Sequence, residues 1–159
     1  MDPLIEILRK DARGTVESMA GRLGVGADEI ETRIAALESS GAVLGYTAVV
    51  DSEKTDIGRV SAVIEVKVTP ERGGGFDRLA TRIAKFDQVE SCTLMSGGYD
   101  LSVVVSGESL REVARFVAEK LSSLEGVIST ATHFHLKTYK RDGFLAHPEA
   151  GPDRLPVTP

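Results

Sequence analysis

The sequence is poor in the residue types that most often announce chemistry. It holds one cysteine, Cys92, and no tryptophan. A lone cysteine excludes an internal disulfide, a CxxC redox pair and a cysteine-rich zinc site together. Aromatic residues make up 5% of the chain, too little for a platform that stacks single-stranded bases. Apolar runs such as Ala42-Val43-Leu44 and Val103-Val104-Val105 fall far short of the roughly 18 to 20 residues of a membrane-spanning helix. Basic residues are outnumbered 19 to 24 by acidic ones, and the net charge of −5 removes a global positive field that would gather nucleic acid. The opening Met1-Asp2-Pro3 has no basic segment followed by an apolar one, so no signal peptide is expected and the cytoplasm is the expected location. What the chain does have is a foldable balance of 42% hydrophobic and 27% charged residues. Its 159 residues suffice for one ordinary domain or two small ones, and not for a TIM barrel.

Hydrophobic periodicity changes near residue 50. Before it, Leu4, Ile5, Leu8 and Ala12 recur at helical spacing after Pro3. Thr15 caps a second short helix carrying Val16, Met19, Ala20 and Leu23, with Gly24 as its stop. Ile30, Ile34 and Leu37 mark a third helix over residues 27 to 40, closed by Gly41. Residues Ala42 to Val50 are rich in apolar and β-branched side chains around Gly45-Tyr46, which predicts two short strands or one bent strand.

The polar stretch Asp51 to Asp56 reads as a connector. Beyond it Val60, Ala62, Ile64, Val66 and Val68 form a strand ended by Pro70, then Phe76, Leu79, Ala80, Ile83 and Ala84 a helical stripe, then Val89 to Met95 a second strand. Gly97-Gly98 predicts a hairpin into a strand from Tyr99 to Val105. Leu110, Val113, Ala114, Val117, Leu121 and Leu124 predict the longest helix, stopped by Gly126, and Val127 to Tyr139 is again β-rich. The order β-α-β-β-α-β is the ferredoxin-like arrangement, with both helices on one face of an antiparallel sheet. Val63, Val104, Ile128, Phe134 and Leu136 are expected on the second face, as apolar area for sheet-to-sheet dimerisation. The fold class is thus α+β: an N-terminal winged helix-turn-helix (residues 1–51), a linker (52–59), a ferredoxin-like domain (60–140) and a tail (141–159).

This organisation resembles the Lrp/AsnC family of feast/famine transcription regulators over almost the whole chain. The most specific pieces are Leu37-Glu38 leading to Gly41, Gly45-Tyr46-Thr47-Ala48, and Leu94-Met95-Ser96-Gly97-Gly98-Tyr99-Asp100. The resemblance implies a regulator that binds duplex DNA, senses a small amino acid in its C-terminal domain, and assembles from dimers into octamers or similar rings. It implies DNA contacts from Arg22, Ala27, Asp28, Thr32 and Arg33. It places the effector at Ser96, Gly97, Gly98, Tyr99 and Asp100, with Thr130 and Thr132 adding hydroxyl contacts from a neighbouring subunit. Chemically, an amino acid needs a carboxylate for its ammonium and N–H donors for its own carboxylate, which Asp100 and the glycine turn offer. Asp100 read as a local turn cap is the alternative.

The departure lies in the third helix, where Arg33 is the only basic residue beside Asp28, Glu29 and Glu31. Residues 1–51 hold five basic and nine acidic side chains, a balance of −4. Carboxylates near phosphates forfeit counterion-release affinity, so one such domain is expected to bind duplex weakly, with a ring of them compensating through effective concentration. A ligand-sensing oligomer whose helix-turn-helix no longer binds DNA is the rival reading. A sirohaem decarboxylase is a third, disfavoured because no His-Asn-Tyr cluster is present. No catalytic residue, metal or cofactor is expected. His133 and His135 face one side of a strand, yet a third ligand from His147, Cys92 or a carboxylate is not fixed by the sequence. The Arg72-Gly73-Gly74-Gly75 loop lacks phosphate-cradle spacing, and Cys92 reads as a buried structural thiol.

Overall fold

The computed structural model describes residues 2–51, 54–55, 58–70 and 75–146. The chain divides between Ala48 and Val49 into two compact units. Parts of the connector (Ser52, Glu53, Asp56, Ile57), of the glycine loop (Arg72, Gly73, Gly74) and of the tail (His147 onward) lie outside the described residues.

The first unit holds helices α1 (Pro3–Lys10), α2 (Val16–Leu23) and α3 (Ala27–Ser39). Asp2 caps α1 by accepting the Leu4 N–H at 2.9 Å, and Pro3 occupies the first turn, where no partner for its nitrogen is required. Thr15 accepts the Ser18 N–H at 3.2 Å to start α2, which ends at Gly24 with φ +70°. The apolar faces meet in a core of Leu4, Ile7, Leu8, Met19, Ala20 and Ile30. The short Gly24-to-Gly26 connection between α2 and α3 makes the helix-turn-helix. The expected strands over Ala42 to Val50 are absent: the chain folds back once, through the Val43 N–H to Leu37 carbonyl bond at 3.0 Å, and then runs without strand structure to Val50. Composition suited this segment to a strand, but a strand exists only against a hydrogen-bonded neighbour, and Leu44 is 96% exposed. The wing is therefore not formed within this chain.

The second unit is built on strands β1 (Val60–Val68), β2 (Val89–Leu94), β3 (Leu101–Gly107) and β4 (Val127–Phe134), ordered β2-β3-β1-β4, with every neighbouring pair antiparallel. Helices α4 (Asp77–Ala84) and α5 (Leu110–Phe116) lie between these strands in sequence. Alternate residues of β1 and β3, among them Ile64, Val66, Leu101, Val103 and Val105, pack with Leu79, Ile83, Val113 and Leu121 into one core. The ferredoxin-like domain is as expected, with four differences of detail. First, α5 gives way at Val117–Leu121 to a π-helical turn, so α3, at 13 residues, is the longest α-helix. Leu110, in the first turn of α5, is 57% exposed, because the apolar stripe that faces the core begins one turn later at Val113. Second, β2 and β3 are joined by residues 95–100, with Tyr99 inside the loop, instead of by a two-residue turn at Gly97-Gly98. The Met95 N–H to Asp100 carbonyl bond, 2.8 Å, closes it. Third, Phe134 is opposite Ala62 and packs on the helix-side core, so it does not belong to the open face. Fourth, residues 140–145 form a small hairpin, β5 (Lys140–Arg141) and β6 (Phe144–Leu145), turned by Asp142 (φ 49°) and Gly143 (φ 92°).

The open face of the main sheet is more polar than expected. Register places Ser61, Val63, Glu65 and Lys67 of β1 beside Ser102, Val104 and Ser106 of β3 and Ser129, Ala131 and His133 of β4. Val63 and Val104 are half-buried partners at its centre, whereas Ile128 is 60% exposed and Leu136, beyond β4, is 94% exposed.

Candidate functional site: a helix pair and a sheet-face cavity

On the helix pair, Arg22 is exposed in the last turn of α2, and Asp28 and Thr32 are exposed on α3, where the Thr32 hydroxyl donates to the Asp28 carbonyl at 2.8 Å. Ala27 begins α3 half-buried. Arg33 is bound otherwise than a groove-reading side chain. Its Nη2 meets Asp2 Oδ1 at 2.6 Å and its Nη1 lies 3.8 Å from Glu29 Oε1, so it ties α3 to the capping residue of α1. The solvent-facing side of α3 is left with Asp28, Glu29, Glu31 and Thr32. Just beyond this helix the Tyr46 hydroxyl donates to Glu38 Oε1 at 3.0 Å, and it titrates above the ordinary tyrosine value through desolvation and then through that carboxylate.

In the second unit the β2–β3 loop borders a cavity of about 360 Å³ on the open sheet face. Ser96, Gly98 and Tyr99 supply the loop side, Val63, Met95 and Leu101 an apolar portion, and Ser102, Glu65 and His133 the polar remainder. Glu65 Oε2 and His133 Nε2 are 3.1 Å apart, a bond between β1 and β4 that spans the cavity wall. Asp100 is turned away. Its Oδ2 accepts the Val68 N–H at 2.8 Å while its own N–H donates to the Val66 carbonyl at 3.0 Å, lashing the loop to the end of β1. Gly97, at φ +140°, holds a backbone conformation that L side chains rarely adopt and makes the bend before Gly98.

The expected effector residues are thus partly gathered. Ser96, Gly98 and Tyr99 line the cavity; Gly97 and Asp100 shape the loop behind it. Thr130 and Thr132 stand opposite Val66 and Ile64, on the helix side of the sheet, and Thr130 Oγ1 lies 3.3 Å from Ser122 Oγ, so one chain does not bring them to the cavity. Glu65 and His133 are the cavity residues that sequence reasoning missed. Alternation puts Glu65 on the face of Val63, but only the β1–β4 register, which sets His133 opposite Val63, brings that imidazole diagonally within reach of Glu65. His133 and His135 do share a face, with His135 Nδ1 bonded to the Ser61 hydroxyl, yet no group of three metal-ligating side chains occurs among the described residues. Cys92 Sγ points at the Ala80 carbonyl, 3.7 Å away, and burial pushes its thiol above the usual value, as suits an unreactive sulfur.

Comparison with known proteins bears on this arrangement directly. A profile described as the Lrp/AsnC ligand binding domain matches residues 61–145, the span that contains the whole cavity. The chain belongs to the Lrp/AsnC family. It is 46% identical over 157 residues to the uncharacterized HTH-type transcriptional regulator YugG of Bacillus subtilis (strain 168), covering 98% of this chain and 95% of that protein. It is 29% identical to a proline dehydrogenase transcriptional activator of Rhizobium radiobacter, over 88% of this chain and 89% of the relative. A crystal structure of the transcriptional regulator NMB0573 from Neisseria meningitidis in complex with L-Met shares the fold, with a TM-score of 0.68 at 24% identity, covering 87% of this chain and 88% of the other. Membership of this Lrp/AsnC group makes the protein a transcriptional regulator with a ligand-binding domain, and not an enzyme. Among the described residues no helix is long and apolar enough to cross a membrane.

Proposed function

We propose that this Lrp/AsnC protein is an amino-acid-responsive regulator whose α2–α3 pair docks on duplex DNA and whose sheet-face cavity receives a small amino acid. The observation that carries the reading is the cavity itself. It is built by the Ser96–Asp100 loop inside the matched ligand-binding domain, and it combines a carboxylate, hydroxyls and an apolar wall, the features a free amino acid requires. The bound L-Met of the Neisseria relative supports the ligand class. Arg22, Ala27, Asp28 and Thr32 are the DNA-facing set, Arg33 being held by Asp2, and Thr130 and Thr132 reach an effector only from a neighbouring subunit. The assembly is a homodimer that builds to a higher ring such as an octamer, working in the cytoplasm where its operators are.

The acidic exposed side of α3 and the engagement of Arg33 by Asp2 favour low intrinsic DNA affinity, with occupancy gained by several domains acting on one site. The same two observations support the rival reading of a ligand-sensing oligomer without DNA binding. Selection of genomic fragments by the purified protein, at about 50 mM salt and then at rising salt, separates the two. Enrichment of discrete fragments at low salt, altered by a pool of the twenty amino acids, is the expected result. Absence of any retained duplex at low salt moves the assignment to the rival.

A further inference from the structure

We infer that Glu65, steadied by His133, is the acceptor for the ammonium group of a zwitterionic α-amino acid bound in the sheet-face cavity. The inference rests on the effector reading above and assigns a specificity-determining residue within it. Ammonium recognition in a partly buried site requires a carboxylate with a free oxygen. Two carboxylates are near the loop. Asp100 has Oδ2 on the Val68 N–H and does not line the cavity. Glu65 does line it, from the middle of β1, with its side chain 43% exposed before any ligand or partner covers the face. His133 holds Oε2 at 3.1 Å, and among the described residues Oε1 meets no donor. Across the cavity Ser96 and Gly98 offer a hydroxyl and backbone N–H groups of the kind that a ligand carboxylate takes. The two ends of an amino acid thus find complementary charge on β1 and donors on the loop, and His133 is a positioning residue that fixes which carboxylate oxygen faces inward.

The test uses the full-length protein and calorimetric titration with each of the twenty amino acids, followed by the 2-oxo acid corresponding to the tightest binder. That analogue keeps the carboxylate and side chain and carries a carbonyl oxygen, which donates no hydrogen bond, in place of the ammonium. Wild type should prefer the amino acid over its 2-oxo acid at least about tenfold, the loss expected when one partner of a charged hydrogen bond is removed. In Glu65→Gln the preference should collapse to near unity through weaker amino-acid binding, with 2-oxo acid affinity little changed, and Glu65→Asp should restore part of it. If Glu65→Gln disturbs folding, seen as a lost thermal transition, Glu65→Ala and the wild-type preference decide in its place. An unaltered preference in a folded Glu65→Gln or Glu65→Ala, or a wild type that binds the 2-oxo acid equally well, overturns the inference and leaves the effector reading standing. A wild type that binds none of the twenty removes both.

Discussion

Arg33 is the one cation that the sequence supplies to α3, and the fold gives it to Asp2. At 2.6 Å, with both side chains about one-third exposed, the pair fastens the third helix to the start of the first. Arg33→Ala should therefore lower the stability of the N-terminal unit by about 1 kcal/mol, a charge-assisted bond discounted for solvent screening. Thermal unfolding followed by circular dichroism measures this. The salt slope of DNA binding should stay where it was; a fall of about one unit would mean instead that Arg33 leaves Asp2 for a phosphate in the complex. The sequence displayed the charge but not its partner, which lies 31 residues earlier, and the same holds in the second unit, where Glu65 and His133 are 68 positions apart. The residue chemistry of both sites was legible, but their pairings were not, because register and helix docking are set by the packing of whole elements. For Asp100 the two readings open in the sequence differ in where the carboxylate points, and its bond to the Val68 N–H is a fact of the β1–β3 register.

At the level of elements, the stop of α2 is legible in the sequence, since Gly24 ends it at φ +70°. Gly126 is expected to end the helical segment before β4, but that segment stops at Leu121 with Ser122 as its cap; Gly126 instead makes the turn into β4, at φ +95° with its carbonyl accepting the Thr69 N–H at 2.8 Å. A Cβ there would also lie 3.2 Å from Leu79 Cδ2. Gly126→Ala should cost about 1 to 2 kcal/mol, the backbone strain added to a tight contact, measurable as a lower denaturant midpoint at unchanged slope. An equal midpoint would show that the turn relaxes to a conformation suited to alanine. Strands with clean alternation, such as β1, were equally legible, because one buried face imposes the period of two. Residues 42–50 depart from their strand-like composition because β propensity describes fitness for a pleated surface and says nothing about whether a partner strand is present. The β5–β6 hairpin has its own signal inside the segment whose composition reads as tail: Asp142-Gly143 is the dipeptide that a two-residue turn with two positive φ angles demands.

For the whole molecule, the division at Ala48/Val49 separates a helical unit with a small core from a sheet unit with a larger one. Within its unit the sheet buries one face and leaves the other with Val63 and Val104 half-buried amid serines, so assembly should reside there. A fragment spanning residues 49–146, which includes the β5–β6 hairpin, should run as a dimer or larger in light scattering; a monomer at micromolar concentration would place the assembly surface in the first unit. The strand order β2-β3-β1-β4 has a further consequence, for the time course of synthesis. β1 is the first strand to leave the ribosome and is flanked on both sides in the finished sheet, by β3 through Gly107 and by β4 through Phe134. The three helices can close their core as soon as they emerge, since their contacts are local, whereas β1, complete at Val68, waits with one hydrogen-bonding edge unfilled until β4 begins at Val127. A nascent or truncated chain that stops short of Val127 thus carries an apolar strand with an open edge, the kind of surface that recruits chaperones or pairs with its neighbours on a crowded polysome.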